Sequence, residues 1–434
     1  MRSLPRNLKA AILHGEYMKA CADMEINGVP LDVPTLRHLQ KNWDNIRRKL
    51  AGQSLKDYPI FDGLRFSHER FETFLKKMGL DKSWPRTKKS ELRRTDSDTW
   101  HKQANLHPEI EGARVLFSTM NMDKLNVACD DDGRNRVLLG AFGTVTSRNA
   151  PSGSEGKGTF IFTPAKWARF LIKPPKGMAL AYLDWASQEF GICAVLSADK
   201  NMIRCYESGD PYLEFAVLAG AAPRGATKDS HREIRKLYKV VTLAVGYGMR
   251  WWGLQHTAGI SEQVSRRVSE DYRRVFATYC EWREKQIDEF ALRGRITTVL
   301  GWPLNRSSAT KENTVINFGE QANAAEMLRL AIIETRRRGV EICAPIHDAL
   351  LIQAPIREIR SAIRETKEAM AAASRIILRG YELRVGCKDD AIVKGKVVRG
   401  DITRYPQRFY SEDGADFWHR IQRLRGVDAR HYSC

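Results

Sequence analysis

Apolar residues follow helical spacing in some stretches of the chain and strand spacing in others, and these patterns predict the order of its elements. Residues 7–52 have helical spacing broken by a turn at Asn27-Gly28-Val29-Pro30, and residues 54–125 are mixed and mainly helical. Residues 178–184 alternate in the manner of a β-strand that ends in Asp184. Further helices are predicted over residues 228–245, 261–292 and 321–338, and residues 295–300 are rich in β-forming residues.

Two short apolar segments lie later in the chain, at residues 340–343 and 349–352, and flank Pro345-Ile346-His347-Asp348. This pattern predicts a β-hairpin with His347 and Asp348 at its tip. The order of elements is therefore helices, a strand, a long helical insertion and strands again. Such an order predicts an α+β fold in which a sheet-bearing domain is split by a helical insertion.

Charge adds a functional indication to this picture. The 434 residues include 71 Lys and Arg against 52 Asp and Glu, a net charge of +19. So large an excess favours a polyanionic partner such as nucleic acid, because counterion release and electrostatic steering strengthen that binding. The basic residues are spread along the chain, with a concentration at residues 82–94, which suits a long groove. A basic protein kept soluble by its charge is the alternative that composition leaves open.

Several protein classes are disfavoured. No apolar run approaches the ~20 residues that cross a bilayer, and the basic N-terminus lacks the apolar core of a signal peptide. The eight cysteines form no CxxC pair, which argues against zinc and predicts reduced, buried thiols. Residues 152–158 contain a Gly-Lys pair that fails the spacing of a phosphate-binding loop. We expect a soluble protein of a reducing compartment, without a membrane partner.

Two carboxylates stand where predicted strands end, Asp184 after the strand at 178–184 and Asp348 at the hairpin tip. Strands often end in Asp for turn reasons, but a charged pair between two apolar strands is difficult to explain by packing. Converging carboxylates would supply the oxygen ligands that Mg²⁺ prefers. Two such ions could assist phosphoryl transfer to a hydroxyl group.

A second candidate is the series Arg235, Lys239, Leu243 and Tyr247, spaced by four residues. On an α-helix this spacing gives one slanted stripe. Two cations followed by an apolar and an aromatic side chain are suited to bind a triphosphate and stack on a base. An ordinary amphipathic helix with a solvated basic edge has the same pattern. Glycines on both sides of Tyr247 predict that the helix ends there.

These motifs, in this order, resemble those of the family A DNA polymerases. Asp184-Trp185-Ala186-Ser187-Gln188-Glu189 resembles motif A, Arg235-x3-Lys239-x3-Leu243-x3-Tyr247-Gly248 resembles motif B, and Ile346-His347-Asp348 resembles motif C. Thr146-Ser147-Arg148, Asn317-x3-Gln321 and residues 24–32 resemble three further family segments. The resemblance runs from about residue 15 to at least residue 390.

The resemblance implies a right-hand polymerase with an antiparallel palm sheet, helical fingers and a helical thumb. The expected division is a thumb-like helical region at 1–125, the first part of the palm at 126–200, fingers at 201–305, and the second part of the palm with a C-terminal extension at 306–434. The tail resembles phage-type members, which implies a phage or prophage origin and a bacterial or phage-infected cytoplasm. Because the thumb-like segment begins close to Met1, no exonuclease domain is expected in this chain.

Roles for individual residues follow from the same resemblance. Two Mg²⁺ ions would be held by Asp184, Asp348 and the Trp185 carbonyl, and the catalytic residues would be Asp184, Asp348 and Lys239. The nucleotide would be bound by Arg235, Lys239, Leu243, Tyr247 and Glu189, with Glu189 as a steric gate against a ribose 2′-hydroxyl. DNA would be contacted by Arg148, Asn317, Gln321 and His347. The implied partners are primer-template DNA and dNTPs, with a separate exonuclease or processivity factor as further candidates.

The implied function is a template-directed DNA polymerase that adds dNTPs to a primer 3′-hydroxyl without proofreading. The sequence departs from the common family pattern at Leu243, where Phe or Tyr is usual, at Ala349, where Glu is usual, and at Pro211-Tyr212, where many members have Ile-His. A single-subunit RNA polymerase shares the aspartates and the basic helix but has a small residue in place of Glu189. A catalytically silent primer-template-binding fold and a two-metal nuclease also stay open, although a nuclease would leave the basic stripe without a role.

Overall fold

The computed structural model describes residues 7–87, 90–122, 125–152, 158–308, 310–393 and 396–424. The α-helices are α1 (Asn7–Asn27), α2 (Val33–Lys41), α3 (Trp43–Ser54), α4 (His68–Lys77), α5 (Ser97–Leu106), α6 (Glu111–Met120), α7 (Gln188–Ser197), α8 (Lys200–Glu207), α9 (Pro211–Leu218), α10 (Arg232–Gly246), α11 (Trp251–Ala258), α12 (Glu262–Val275), α13 (Ala277–Arg293), α14 (Glu312–Arg337), α15 (Ile359–Ile377) and α16 (Glu412–Leu424). The β-strands are β1 (Val29–Pro30), β2 (Phe61–Asp62), β3 (Arg65–Phe66), β4 (Arg134–Asn135), β5 (Met178–Trp185), β6 (Arg295–Thr297), β7 (Pro303–Asn305), β8 (Glu341–Ile346), β9 (Ala349–Pro355), β10 (Val385–Gly386), β11 (Ala391–Val393), β12 (Lys396–Val398) and β13 (Ile402–Arg404).

These elements confirm the predicted α+β class and most of the predicted order. Helix α10 begins later than predicted, because Thr227 and Ser230 hydrogen-bond each other's backbone N–H groups and so compete with helix formation. Helix α14 begins earlier, at Glu312, where polar residues in its first turns hide the apolar periodicity. The loop predicted at residues 152–158 lies mostly outside the described residues.

The chain folds into two compact units, each built from three segments. Unit 1 consists of Met1–Val29, Arg136–Ser152 and Pro174–Pro406, and unit 2 of Pro30–Asn135, Gly153–Lys173 and Gln407–Cys434. All the residues that the sequence analysis selected as functional belong to unit 1.

An antiparallel five-stranded sheet organises unit 1. Its order is β10-β5-β9-β8, and β13 also pairs with β5. Strands β5 and β9 pair from Met178 opposite Pro355 to Asp184 opposite Ala349. Both strands are mostly buried, and helix α15 packs on them and against α14. The register therefore brings the end of β5 beside the turn of the β8–β9 hairpin.

Helix α10 is fixed in unit 1 through one face. Its Tyr238 ring lies 4.8 Å from that of Phe215, and Phe215 lies 4.6 Å from Phe276. Tyr272 of α12 joins this cluster, with its ring centre 5.1 Å from that of Phe276. Burial of such large aromatic groups is strongly stabilising. The opposite face of α10, which carries the predicted stripe, is left open.

Unit 2 has its own aromatic core, in which Trp84 and Trp100 meet edge to face at 5.1 Å. Part of the basic segment at residues 82–94 forms ion pairs within this unit. Arg93 is only 7% exposed, and its guanidinium donates to both carboxylate oxygens of Glu72 at 2.7 Å. Arg94 pairs with Asp96. Arg93 and Arg94 are therefore less available to a polyanionic partner than unpaired cations would be.

The structure also bears on the membrane and cysteine predictions. In the described part of the chain, no helix is long and apolar enough to cross a membrane. The cysteines described, seven in number, are free thiols, and five of them are buried.

Candidate active site

Two carboxylates meet at the end of the central strand pair. Asp184 lies opposite Ala349 in the β5–β9 ladder, and Asp348 occupies the hairpin turn immediately before β9. His347 beside it has a φ of +55°, the left-handed conformation that lets the hairpin reverse in two residues. The sequence pattern predicted this convergence, and the sheet register produces it.

The surroundings of the pair disfavour two negative charges. Burial raises the pKa of Asp184, and the charge of Asp348 and a hydrogen bond from it raise the Asp184 pKa further. Burial also raises the pKa of Asp348. Among the described residues, the Asp184 Oδ1 atom is buried and has no hydrogen-bond partner. A divalent cation would relieve this repulsion and satisfy the orphaned oxygen.

The donor set for such a cation is small. Within the described ranges, no group of three or more His, Cys, Asp or Glu side chains could hold a metal ion. The predicted ligands are the carboxylates of Asp184 and Asp348 and the backbone carbonyl of Trp185. This set needs no third His, Cys, Asp or Glu side chain. The indole of Trp185 is buried in the core, so only its main chain is available at the strand end. Oxygen-only donors of this kind fit Mg²⁺.

The two cations of the predicted stripe on α10 contact the start of a neighbouring helix, α9. Arg235 forms an ion pair with Asp210, which caps the N-terminus of α9. The ring of Tyr212 lies 5.7 Å from the Arg235 Cζ atom and 5.8 Å from the Lys239 Nζ atom. Cations at this distance from an aromatic ring are attracted by its π-electrons. One tyrosine ring thus aligns both cations on the open face.

The lower end of the stripe meets the predicted gate residue. Glu189, in the first turn of α7, accepts hydrogen bonds from the Arg148 guanidinium and from the Tyr247 hydroxyl. Burial, and next the hydrogen bond to Glu189, raise the pKa of Tyr247. Leu243 joins Glu189 and Tyr247 in lining a cavity of about 40 Å³. Four of the predicted residues therefore converge here from three separate stretches of chain.

The remaining predicted residues are less connected. Asn317 and Gln321 both lie on α14, and the buried Asn317 Oδ1 atom has no partner in the described part of the chain. Among the described residues, no hydrogen bond or ion pair joins either of them to another predicted site residue. His347 is exposed at the hairpin tip.

Sequence reasoning missed three residues of this region. Asp210 and Tyr212 lie in the pattern of an N-cap and Pro, which indicates the start of a helix but not its contact with Arg235 and Lys239. Glu320 of α14 is 6% exposed, and its carboxyl group is 3.0 Å from the Cys193 sulfur. Burial raises the pKa of Glu320 to about 8. The only sequence signal for Glu320 was an acidic residue within a helix that is otherwise rich in apolar residues.

Comparison with known proteins assigns the chain to a family. The family model described as DNA polymerase family A matches residues 154–389, more than half of the chain. The chain belongs to DNA polymerase family A. The resemblance stated from its motifs is thereby confirmed.

Relatives of this chain include bacterial and phage proteins. The thermostable DNA polymerase I of Thermus aquaticus is 25% identical over 415 residues, covering 90% of this chain and 48% of that protein. DNA polymerase I of Aquifex aeolicus is 22% identical, with 86% of this chain and 66% of that protein covered. The DNA polymerase of Mycobacterium phage D29 is 25% identical over 50% of this chain and 35% of its own. The chain spans about half the length of the Thermus relatives it matches.

A solved structure supports the fold. The POL domain of Pol1 from M. smegmatis, in complex with DNA primer-template and dNTP, superposes with a TM-score of 0.66 at 21% identity. The match covers 86% of this chain and 68% of that chain. The α+β fold of this chain thus matches the fold of a family A polymerase domain.

Proposed function

We propose that this chain is a template-directed DNA polymerase that extends a DNA primer with dNTPs. The observation that carries the proposal is the pairing of Asp184 and Asp348 at a strand end, in the same unit as two cations aligned over the Tyr212 ring. Paired acids suit metal-assisted phosphoryl transfer, and aligned cations suit a triphosphate. Family membership supports the same function.

Asp184, Asp348 and the Trp185 carbonyl would hold two Mg²⁺ ions. Bound there, Mg²⁺ supplies electrostatic stabilisation of the charge that develops during phosphoryl transfer. The orphaned Asp184 oxygen and the raised pKa of both carboxyls are what a site prepared for cations would display.

The chain's own side chains would bind and orient the substrates. Arg235 and Lys239 would contact the triphosphate, leaving their present partners Asp210 and Tyr212 in part. The primer 3′-hydroxyl would lose its proton to water as its oxygen forms a bond to the α-phosphorus, while the bond from that phosphorus to the pyrophosphate oxygen breaks. Lys239 would give a proton to the departing pyrophosphate. Tyr247 would stack beside the nascent base pair.

Selection of the substrate would depend on Glu189 and on minor-groove contacts. Glu189 would occupy the space of a ribose 2′-hydroxyl and so favour dNTPs. Arg148, Asn317 and Gln321 would contact minor-groove acceptors common to all correct pairs, and His347 would contact the primer end.

The division into thumb (1–125), palm (126–200 and 306–434) and fingers (201–305) is also proposed. The main strands β5, β8 and β9 fall within the proposed palm, and helices α9–α13 fall within the proposed fingers. A bacterial or phage-infected cytoplasm, and a separate exonuclease or processivity factor, are proposed on the same basis. The phage D29 relative supports such a setting.

Primer extension tests this function. The protein is incubated with a labelled primer on a DNA template and Mg²⁺, with dNTPs, with rNTPs or with no nucleotide. We expect elongation with dNTPs, none with rNTPs, and an intact primer without nucleotide. Elongation with rNTPs would replace the proposal by an RNA polymerase, and primer shortening would indicate a nuclease.

The carboxylate pair is tested separately. Asp348→Ala should abolish extension and leave primer-template affinity nearly unchanged, because it removes an acid at the reacting centre and no DNA contact. Asp413→Ala, at an exposed carboxylate paired with Lys166, is the matched control. Retained extension by Asp348→Ala would contradict the assignment. Binding without extension by the wild-type protein would indicate a silent fold.

A further inference from the structure

Arg329 is a buried cation that the proposed chemistry does not use. It lies on α14, is 2% exposed, and is surrounded by aromatic rings. Its Cζ atom is 5.1 Å from the ring centre of Phe142, 5.8 Å from that of Tyr17 and 5.9 Å from that of Trp302. Burial of a guanidinium is costly unless its donors are satisfied, so its contacts indicate what it is for.

The contacts of Arg329 converge on one turn. Its Nη1 atom donates to the Ser147 carbonyl oxygen at 2.8 Å, and its Nη2 atom donates to the Ser147 hydroxyl at 2.9 Å. Ser147 is fully buried and has a φ of +59°, a left-handed conformation that costs a non-glycine residue free energy. The planar guanidinium fork thus holds in place a residue whose backbone would otherwise relax.

The same turn carries Arg148. The Ser147 N–H donates to the Thr144 carbonyl at 2.9 Å, and the Arg148 N–H donates to the Thr144 hydroxyl at 2.9 Å. The Trp302 indole N–H, from the ring stacked with Phe142, donates to the Val145 carbonyl at 3.1 Å. Residues 144–148 are therefore held by hydrogen bonds within the turn and by hydrogen bonds from Trp302 and Arg329.

Arg148 in turn reaches Glu189, which also holds the Tyr247 hydroxyl. Arg329 is thus connected to Glu189 by its hydrogen bonds to Ser147, by the peptide bond from Ser147 to Arg148, and by the hydrogen bond from the Arg148 side chain to Glu189. We propose that Arg329 is a positioning residue: by fixing the turn at Ser147, it aims Arg148 at Glu189 and at the primer-template. The structural part of this inference, that Arg329 orders the turn, rests on the turn geometry alone. The functional part, that this ordering affects dNTP incorporation, rests on the proposed polymerase function.

The structural part is tested by hydrogen–deuterium exchange. In Arg329→Lys, a single ammonium replaces the two-donor fork while a cation remains beside the rings and near Glu326. We expect faster exchange in peptides that cover residues 144–148, and a smaller acceleration in Ser147→Gly, which loses the hydroxymethyl group but keeps the Ser147 carbonyl and tolerates the positive φ. Arg337→Met, on the exposed side of the same helix, is the control. Exchange equal to that of the control would overturn the inference.

The functional part is tested by a double-variant cycle on dNTP incorporation. Arg148→Ala and Arg329→Met should each lower kcat/KM by about tenfold or more, the size expected for hydrogen bonds of a charged group. If Arg329 acts through Arg148, the double variant should match Arg148→Ala within about twofold. If Arg329 acts independently of Arg148, the two decreases in kcat/KM should multiply in the double variant. That result would overturn the proposal.

Two controls separate the possible failures. If Arg329→Met does not fold, Arg329→Lys and Ser147→Gly replace it in the same cycle with Arg148→Ala. If the wild-type protein does not extend primers at all, the proposed function fails, and the exchange experiment still decides whether Arg329 orders the turn.

Discussion

At the scale of single residues, the site is organised around a carboxylate that two partners share. Glu189 accepts from Arg148, which precedes the central strand, and from Tyr247, which ends α10. A group held on both oxygens keeps a defined position, and a steric gate requires one. Discrimination between sugars should therefore depend on the bulk of Glu189 more than on its charge.

Glu189→Ala should raise rNTP use relative to dNTP use by about tenfold or more, because the space for a 2′-hydroxyl opens. Glu189→Gln keeps the volume and should retain most of the discrimination. The measurement is the ratio of kcat/KM for dNTP to that for rNTP, with Glu289→Ala, a half-buried acid on α13 paired with Arg293, as control. An unchanged ratio in Glu189→Ala would contradict the gate role.

A second residue-scale prediction concerns Glu320, whose pKa burial raises from the usual 4.5 to about 8. Between these two pH values the unfolded chain has lost the proton and the folded chain keeps it. The free energy of unfolding should therefore decrease as pH rises through this window, by up to about 1.4 kcal/mol per pH unit for one proton, and level off above it.

Glu320→Gln removes this titration, so its stability relative to the wild type should increase from pH 5 to pH 8. Urea unfolding at four pH values measures it, and Glu312→Gln, at the start of the same helix, should follow the wild type. Parallel curves for the wild type and Glu320→Gln would show that the acid is ionised in the folded protein.

Sequence reasoning located the residues of this site better than their contacts. Asp184 and Asp348 were found because charges that close apolar strands have few packing explanations. The contacts of Glu189 with Arg148 and Tyr247 join residues 41 and 58 positions apart, and no local pattern encodes such distances. Asp210 and Tyr212 were missed as partners of the stripe for the same reason.

At the scale of elements, periodicity predicted what is long and regular. Strand β5 and the β8–β9 hairpin were found because their apolar runs are bounded by clear turn residues. Strands β10 and β13 were not, since segments of two and three residues carry too little pattern and are specified by pairing with β5. The observed starts of α10 and α14 differ from the predicted ones, because side-chain hydrogen bonds precede α10 and the first turns of α14 are polar.

Helix α14 gives an element-scale prediction, because it approaches α13 at a glycine. A Cβ atom added at Gly319 would lie 2.9 Å from the Cη2 atom of Trp282, whose ring stacks on Tyr279. Gly319→Ala should therefore destabilise the protein by about 1–3 kcal/mol, although alanine is the better helix former. Gly15→Ala in α1 has nothing within 4 Å and should stabilise by about 0.5–1 kcal/mol. Chemical denaturation measures both, and equal shifts would contradict the close approach.

At the scale of the whole molecule, charge is the dominant property. A net charge of +19 remains after Arg93 and other cations are committed to internal pairs. If primer-template DNA is the partner, affinity should fall steeply with salt, with a slope of log Kd against log [NaCl] of about 4 or more for five or more phosphate contacts.

Fluorescence anisotropy of a labelled primer-template, titrated at several NaCl concentrations with Mg²⁺ held constant, measures this slope. Constant Mg²⁺ is the necessary control, since a divalent cation competes for the same phosphates. A slope near zero would mean that the excess charge is not used for binding DNA.

The first helix of the chain depends on residues made long after it. The Asn27 side chain of α1 donates to the Ile342 carbonyl at 3.0 Å across 315 residues, and α1 packs on β8 and α14. At a translation rate of about 5–20 residues per second, roughly 15–60 s pass before that carbonyl exists. During this time Tyr17, Cys21 and Met24, which are buried in the finished protein, lack the part of their native surroundings that β8 and α14 provide. During its synthesis, α1 is therefore among the parts of the nascent chain that wait long for native partners, and it is a natural target for chaperones.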